Sequence, residues 1–174
     1  MNRSKRALYI VTAIVLLVIA DHATKWVAIR SLKETGEVYV FLGNLFRLQY
    51  AENTGAFLSL GAGLPDGVRT FIMTGINAII LGGLLCYLFA VKQIALIPAS
   101  ALVLIASGGI GNLIDRIFRD GCVVDFMNMG ITTSSFSLRT GIFNIADVAI
   151  MAGLFLIILH ELLNIRKRGV DEKK

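Results

Sequence analysis

Asp21, Lys25, Asn112, Asp115, Arg116, Asn144 and Asp147 all lie near the ends of long apolar runs, and Asp125 follows one such run by a few residues. Carboxylates, amides and a guanidinium gathered in this way suit proton transfer at a reacting bond. They would equally suit an ion pathway or a set of buried pairs. Spacing sorts them onto helix faces. Asp21 and Lys25 stand at i, i+4 with the acid first, the favourable order for a pair on one face, and Asn112 and Arg116 share a face by the same rule. Asn144 and Asp147 stand at i, i+3. Each set also has a plain structural reading. Asp21–Lys25 reads first as a stabilising pair, and Asn144 as a helix N-cap with Asp147 at the third helical position. His22 and His160 fall on opposite sides of the membrane in this reading, so no histidine triad spans both.

The elements that carry these residues are set by lipid. Of 174 residues, 56% are hydrophobic and only 17% charged, against about a quarter charged in ordinary soluble domains. Spans are expected at 8–29, 70–91, 94–114 and 142–163, each close to the roughly 20 apolar residues that cross a bilayer. Pro98 falls near the start of the third, where a helix tolerates it. The first run continues in helical pattern through DHATKWVAI without a small-residue cleavage site, and reads as a retained span. Gly108, Gly109 and Gly111 strip side chains from the third span and let neighbouring helices approach.

An even number of spans puts both termini on one side, and the basic ends (Arg3, Lys5 and Arg6; Arg166, Lys167 and Arg168) favour the cytoplasm. The polar residues named above then all face outward, and the inner halves of the spans carry no Asp, Glu, Lys or Arg until the cytoplasmic flank. The outside segments are 30–69 and 115–141. In the first, EVYVF and LFRLQY flank Gly43-Asn44, a hairpin signal; alternation from Leu45 to Tyr50 suggests a strand with one wet face. The second holds VVDFM and TTSSFSLRTG, another expected strand pair. The expected fold is therefore membrane all-α with a small external β-sheet platform, one domain over 1–174, monomeric. A nucleic-acid partner is not expected, because long apolar runs separate the basic ends and no basic stripe alternates with aromatics. Cys86 and Cys122 are not expected to form a disulfide.

With the motifs placed, the chain resembles the lipoprotein signal peptidase family (signal peptidase II). The matching strings are DHATK at Asp21–Lys25, ENTGAF at Glu52–Phe57, GGIGNLIDR at Gly108–Arg116, VVDF at Val123–Phe126 and FNIAD at Phe143–Asp147. They occur in the family's order from the first span to the last. The resemblance implies a catalytic dyad of Asp125 and Asp147. It implies substrate-binding or dyad-supporting roles for Asn53, Gly55, Asn112, Arg116, Asn144 and Ala146, beside the polar pair Asp21 and Lys25. It also implies no metal or other cofactor, membrane lipids as surroundings, and cleavage of diacylglyceryl-modified prolipoproteins just before the lipidated cysteine, at the outer face of the bacterial cytoplasmic membrane. Two departures fall in external loops. Phe57 follows Ala56 where a second alanine is expected, and the Asp125–Asp147 interval is longer than usual, with RTG before its FN.

Peptide hydrolysis without a metal or nucleophilic side chain needs a base for water and an acid for the leaving group. Two neighbouring carboxylates that share one proton supply both. A helix N-terminus would bias Asp147 toward the ionised form and leave the proton with Asp125. The competing readings are a small proton-coupled transporter, opposed by the uncharged inner halves, and a non-enzymatic lipopeptide-binding membrane protein.

Overall fold

The computed structural model of the protein describes residues 2–55 and 65–171. Helix α1 (Arg3–Ala28) widens into a π-turn over Ile29–Lys33. Strands β1 (Tyr39–Phe41) and β2 (Phe46–Asn53) follow, then the short α2 (Asp66–Thr70), a π-turn over Phe71–Ile76 and α3 (Asn77–Ala90). Helix α4 (Leu96–Phe118), strands β3 (Val123–Thr132) and β4 (Ser137–Arg139) and helix α5 (Ile145–Asp171) complete the chain. Among the described residues four helical stretches are long and apolar enough to cross a membrane: Arg3–Lys33, Phe71–Ala90, Leu96–Phe118 and Ile145–Ile165.

Helix α4 is the central one. It packs against α1, α3 and α5, and 39% of its apolar window is buried against 11% in each of the other three. A core of Ile10, Leu88, Val103 and Ala106 joins α1, α3 and α4. Helices α4 and α5 meet almost backbone to backbone. A Cβ on Gly108 would collide with the Ala146 carbonyl oxygen, and one on Gly153 would stand 2.5 Å from that of Ala101. Glycine is required at both positions by this approach, which puts the sheet-bearing end of α4 directly against the start of α5.

The strands form one antiparallel sheet in the order β1-β2-β3-β4. The β1–β2 turn runs through Leu42, Gly43 and Asn44, all with positive φ (53°, 62° and 76°), as the Gly-Asn signal suggested. Phe126 of β3 packs on Ala28 and Leu32 with Leu48, Tyr50 and Ile145 around it, which fastens the sheet to the end of α1 and the start of α5. Between Leu48↔Met127 and Ala51↔Asp125 the pairing register shifts, with β2 advancing three residues while β3 advances two. Such a bulge bends and twists the strand.

Several boundaries differ from the sequence reading. The third helix does not stop at 114 but runs to Phe118, because Asp115 and Arg116 find partners inside the fold and so do not mark a water boundary. The first helical stretch continues past 29 to Lys33, and the second ends at Ala90 rather than 91. The fourth starts at Ile145, not 142, since Phe143 is still pairing with Met127 of β3. Strand β2 does not show one wet face: Phe46 to Ala51 are half-buried regardless of parity. The bulge breaks the alternation, and Arg47 folds back to donate to Asn44 Oδ1 at 2.5 Å. The long Asp125–Asp147 interval is taken up by a β3–β4 hairpin closed around Thr133 and Phe136. Cys86 and Cys122 are free thiols.

Candidate active site

Three chain segments converge where α4 ends and α5 begins. Strand β3 brings Asp125, 2% exposed. Just before α5, Phe143 bonds to β3 in both directions, its N–H donating to the Met127 carbonyl at 2.8 Å and its carbonyl accepting from Phe126 and Met127 at 3.1 and 2.8 Å. This bridge delivers the next residue, Asn144, beside Asp125 with no exposed surface at all.

Asn144 then does two things. Its Oδ1 accepts the Asp147 N–H at 3.0 Å, while Asp147 Oδ2 accepts the Asn144 N–H at 3.1 Å. That reciprocal exchange is a capping box and starts α5. Its side-chain amide also donates to Asp125 Oδ1 at 2.7 Å. A single residue therefore touches both carboxylates. The remaining oxygens are held from elsewhere. Asn53 at the end of β2 donates to Asp125 Oδ2 at 3.1 Å, and Asn112 on α4 donates to Asp147 Oδ1 at 2.9 Å. The Asn112 Oδ1 in turn accepts from Asn144 at 3.0 Å and from Lys25 at 3.1 Å.

Arg116 sits differently from a direct partner of the acids. Its guanidinium donates to the Gly121 carbonyl at 3.1 Å and the Gly55 carbonyl at 3.4 Å, stapling the start of the β3 segment to the end of β2. Its positive charge still acts on both Asp125 and Asp147. The Gly55 N–H donates to Asn53 Oδ1 at 3.1 Å, which steadies the amide facing Asp125. Ala146 takes part through its backbone N–H, which Asp21 Oδ1 accepts at 2.9 Å. The expected pair is present, with Lys25 Nζ 2.7 Å from Asp21 Oδ2. Ala56 and Phe57 of the NTGAF string lie outside the described residues.

The model of a family described as Signal peptidase (SPase) II matches residues 13–163. The chain belongs to the signal peptidase II family. Lipoprotein signal peptidases of Borrelia hermsii and Borrelia turicatae are each 34% identical to it, over 86% of both chains in the first case and over 84% of this chain and 85% of the other in the second. That of Borrelia garinii is 28% identical over 95% of this chain and 96% of its own. Two solved structures described as bacterial membrane enzymes superpose with TM-scores of 0.72 and 0.71. They are 28% and 30% identical and cover 90% and 88% of this chain. The family assignment makes this chain a multi-pass membrane hydrolase of the bacterial inner membrane.

For a signal peptidase II, the residue that sequence reasoning passed over is Asp115. It was placed at the right level and given no role, yet it is 1% exposed and lies 2.8 Å from Lys25. The available signal was its spacing: Asp115 and Arg119 stand at i, i+4 and pair at 3.0 Å. Beside the site, an apolar hollow of about 550 Å³ opens between the end of α1 and the sheet, lined by Val27, Leu32, Tyr39, Phe41, Leu48 and Phe126.

Burial, and then the negative charge of Asp147, push the Asp125 carboxyl up from an ordinary 3.8 to about 6. Because the folded pKa exceeds the unfolded one, the folded state binds the extra proton between these values. The stability contributed by this group is present below about pH 4 and is lost as pH rises through about 6. Asp125→Asn lacks this dependence. Its free energy of unfolding relative to the parent protein should rise between about pH 4 and about pH 6 and then level off, with a full excursion on the order of 2–3 kcal/mol. A difference that stays flat over that range would show that Asp125 titrates as an ordinary exposed acid.

Proposed function

We propose that this chain is an aspartic endopeptidase that removes the signal peptide from diacylglyceryl-modified prolipoproteins, cleaving on the N-terminal side of the lipidated cysteine. The observation that carries the reading is Asn144, whose side chain donates to Asp125 and whose backbone N–H donates to Asp147. In a family of signal peptidases, two carboxyl groups brought from different elements onto one residue form a natural acid–base pair.

Asp147 opens α5 and serves as the base of the pair. Asp125, whose buried carboxyl retains a proton to about pH 6, is the acid of the pair. The ionised Asp147 takes a proton from water as the water oxygen bonds to the scissile carbonyl carbon, and Asp125 gives its proton to the carbonyl oxygen. When the C–N bond breaks, Asp147 passes the proton it gained to the departing nitrogen. The diol proton returns to Asp125, so the pair is regenerated and one water is consumed. The pair's pKa values belong to both groups together.

In this reading the basic ends keep both termini in the cytoplasm, the chemistry lies with the sheet at the outer membrane face, and the whole chain acts as one membrane-embedded peptidase domain. A substrate with its acyl chains in the leaflet presents its peptide bond at that level. The apolar hollow beside Phe126 supplies a surface for hydrocarbon. No metal or nucleic-acid partner enters this reading, and the monomer contains every residue it uses. The test is incubation of the purified protein in lipid with a diacylglyceryl-modified precursor and with its unlipidated form. Release of signal peptide from the first alone is expected. Equal cleavage of both would remove lipid recognition from the proposal, and cleavage of neither would remove the peptidase.

A further inference from the structure

The proposed chemistry leaves three buried charges without a task. Asp21 is 1% exposed, Lys25 0% and Asp115 1%. Lys25 Nζ lies 2.7 Å from Asp21 Oδ2, 2.8 Å from Asp115 Oδ2 and 3.1 Å from Asn112 Oδ1. The ammonium thus makes two close ion pairs and donates one hydrogen bond, to Asn112. Stability does not account for such an arrangement, since buried ion pairs are often no better than apolar side chains of the same volume.

Where the carboxylates point beyond the lysine is more telling. Asp21 Oδ1 accepts the backbone N–H of Ala146 at 2.9 Å. Asp115 Oδ2 accepts the backbone N–H of Val124 at 3.2 Å. Ala146 immediately precedes Asp147, and Val124 immediately precedes Asp125. From α1 and α4, two acids joined by one lysine thus hold the peptide units on the N-terminal side of both active-site aspartates. The same lysine also fixes which way round Asn112 presents its amide, because an oxygen facing Lys25 leaves the NH₂ for Asp147.

We propose that Asp21, Lys25 and Asp115 form a clamp that sets the separation of Asp125 and Asp147, with all three acting as positioning residues. The proposal rests on the peptidase reading of the site. Arg119, paired with Asp115 at 3.0 Å, balances the second acid, so the cluster is neutral as a whole.

Gly111→Ala tests the clamp without altering any charge. A Cβ at Gly111 would stand 2.6 Å from Asp21 Oδ2 and so displaces that carboxylate from its place. In cleavage of a diacylglyceryl-modified precursor peptide by the full-length protein in lipid, kcat per folded molecule is expected to fall at least about tenfold, toward the roughly 10²-fold that a misplacement of about 1 Å costs, with KM nearly unchanged. The pH midpoint of activity is expected to move as well. Asp125 is faced by Asp147 on α5, Arg116 on α4 and Lys25 on α1, and only the spacing between these groups changes in the variant. An unchanged kcat with an unchanged midpoint in a folded variant overturns the clamp.

Should Gly111→Ala fail to fold, the double variant Asp21→Leu with Lys25→Met decides. It removes one acid and one base and leaves Asp115 paired with Arg119. A folded double variant with reduced kcat and intact KM supports the clamp, whereas parental kcat, or loss of folded protein with no change per folded molecule, overturns it. A parent protein that cleaves nothing would strike down the peptidase reading instead.

Discussion

Asp125→Asn and Asp147→Asn each lower release of the signal peptide by at least about 10³-fold while the folded protein stays in the membrane. An amide neither takes a proton from water nor gives one to a leaving group, and positioned acid–base catalysis is worth roughly 10² to 10⁴. The double replacement should be little worse than the poorer single, because two groups that share a proton act as one unit. Each amide fits the volume of the acid it replaces. The one amide oxygen can still accept from Asn53 or Asn144 at position 125, and from Asn112 or the Asn144 N–H at position 147, with the other donor of each pair left facing an NH₂. Single-turnover assays with a lipidated precursor, beside a melting curve for each protein, separate chemistry from folding. Retention of cleavage within about tenfold of the parent in either single variant would exclude the dyad.

Asn144 gives the second large effect, and two replacements divide its duties. Asn144→Ala leaves Asp125 Oδ1 without its 2.7 Å donor and removes the oxygen that accepts the Asp147 N–H. Asn144→Ser keeps a cap oxygen but is too short to bridge to Asp125. Both should lose on the order of 10²-fold in kcat, since the two carboxylates are no longer held by a common residue. Only the alanine variant should also lose about 1 kcal/mol of stability through the missing cap. Equal stability of the two variants, or full activity of the serine protein, would contradict this division.

Hydropathy revealed four spans, and glycine with polar side chains revealed which ends matter, because lipid penalises every uncompensated charge in the same way. The plain reading of Asn144 and Asp147 as a cap describes the geometry, and under the proposed function the same capping box is what aims the pair. Other features could not be read along the chain. The task of Asp115 was hidden because one of its partners is the Val124 backbone N–H, which has no signature in residue type. The bulge in β2 depends on how β3 pairs with it, and no period-2 pattern encodes an inserted residue. The donors of Arg116 reach the Gly55 and Gly121 carbonyls, which only the folded chain brings together.

The double duty of Asn144 has a bearing on resistance. An inhibitor that competes for the donors around Asp125 and Asp147 would meet a target whose escape routes are narrow, because replacing Asn144 to evade it also unseats the first turn of α5. Drug-tolerant variants should instead collect where side chains carry no second obligation.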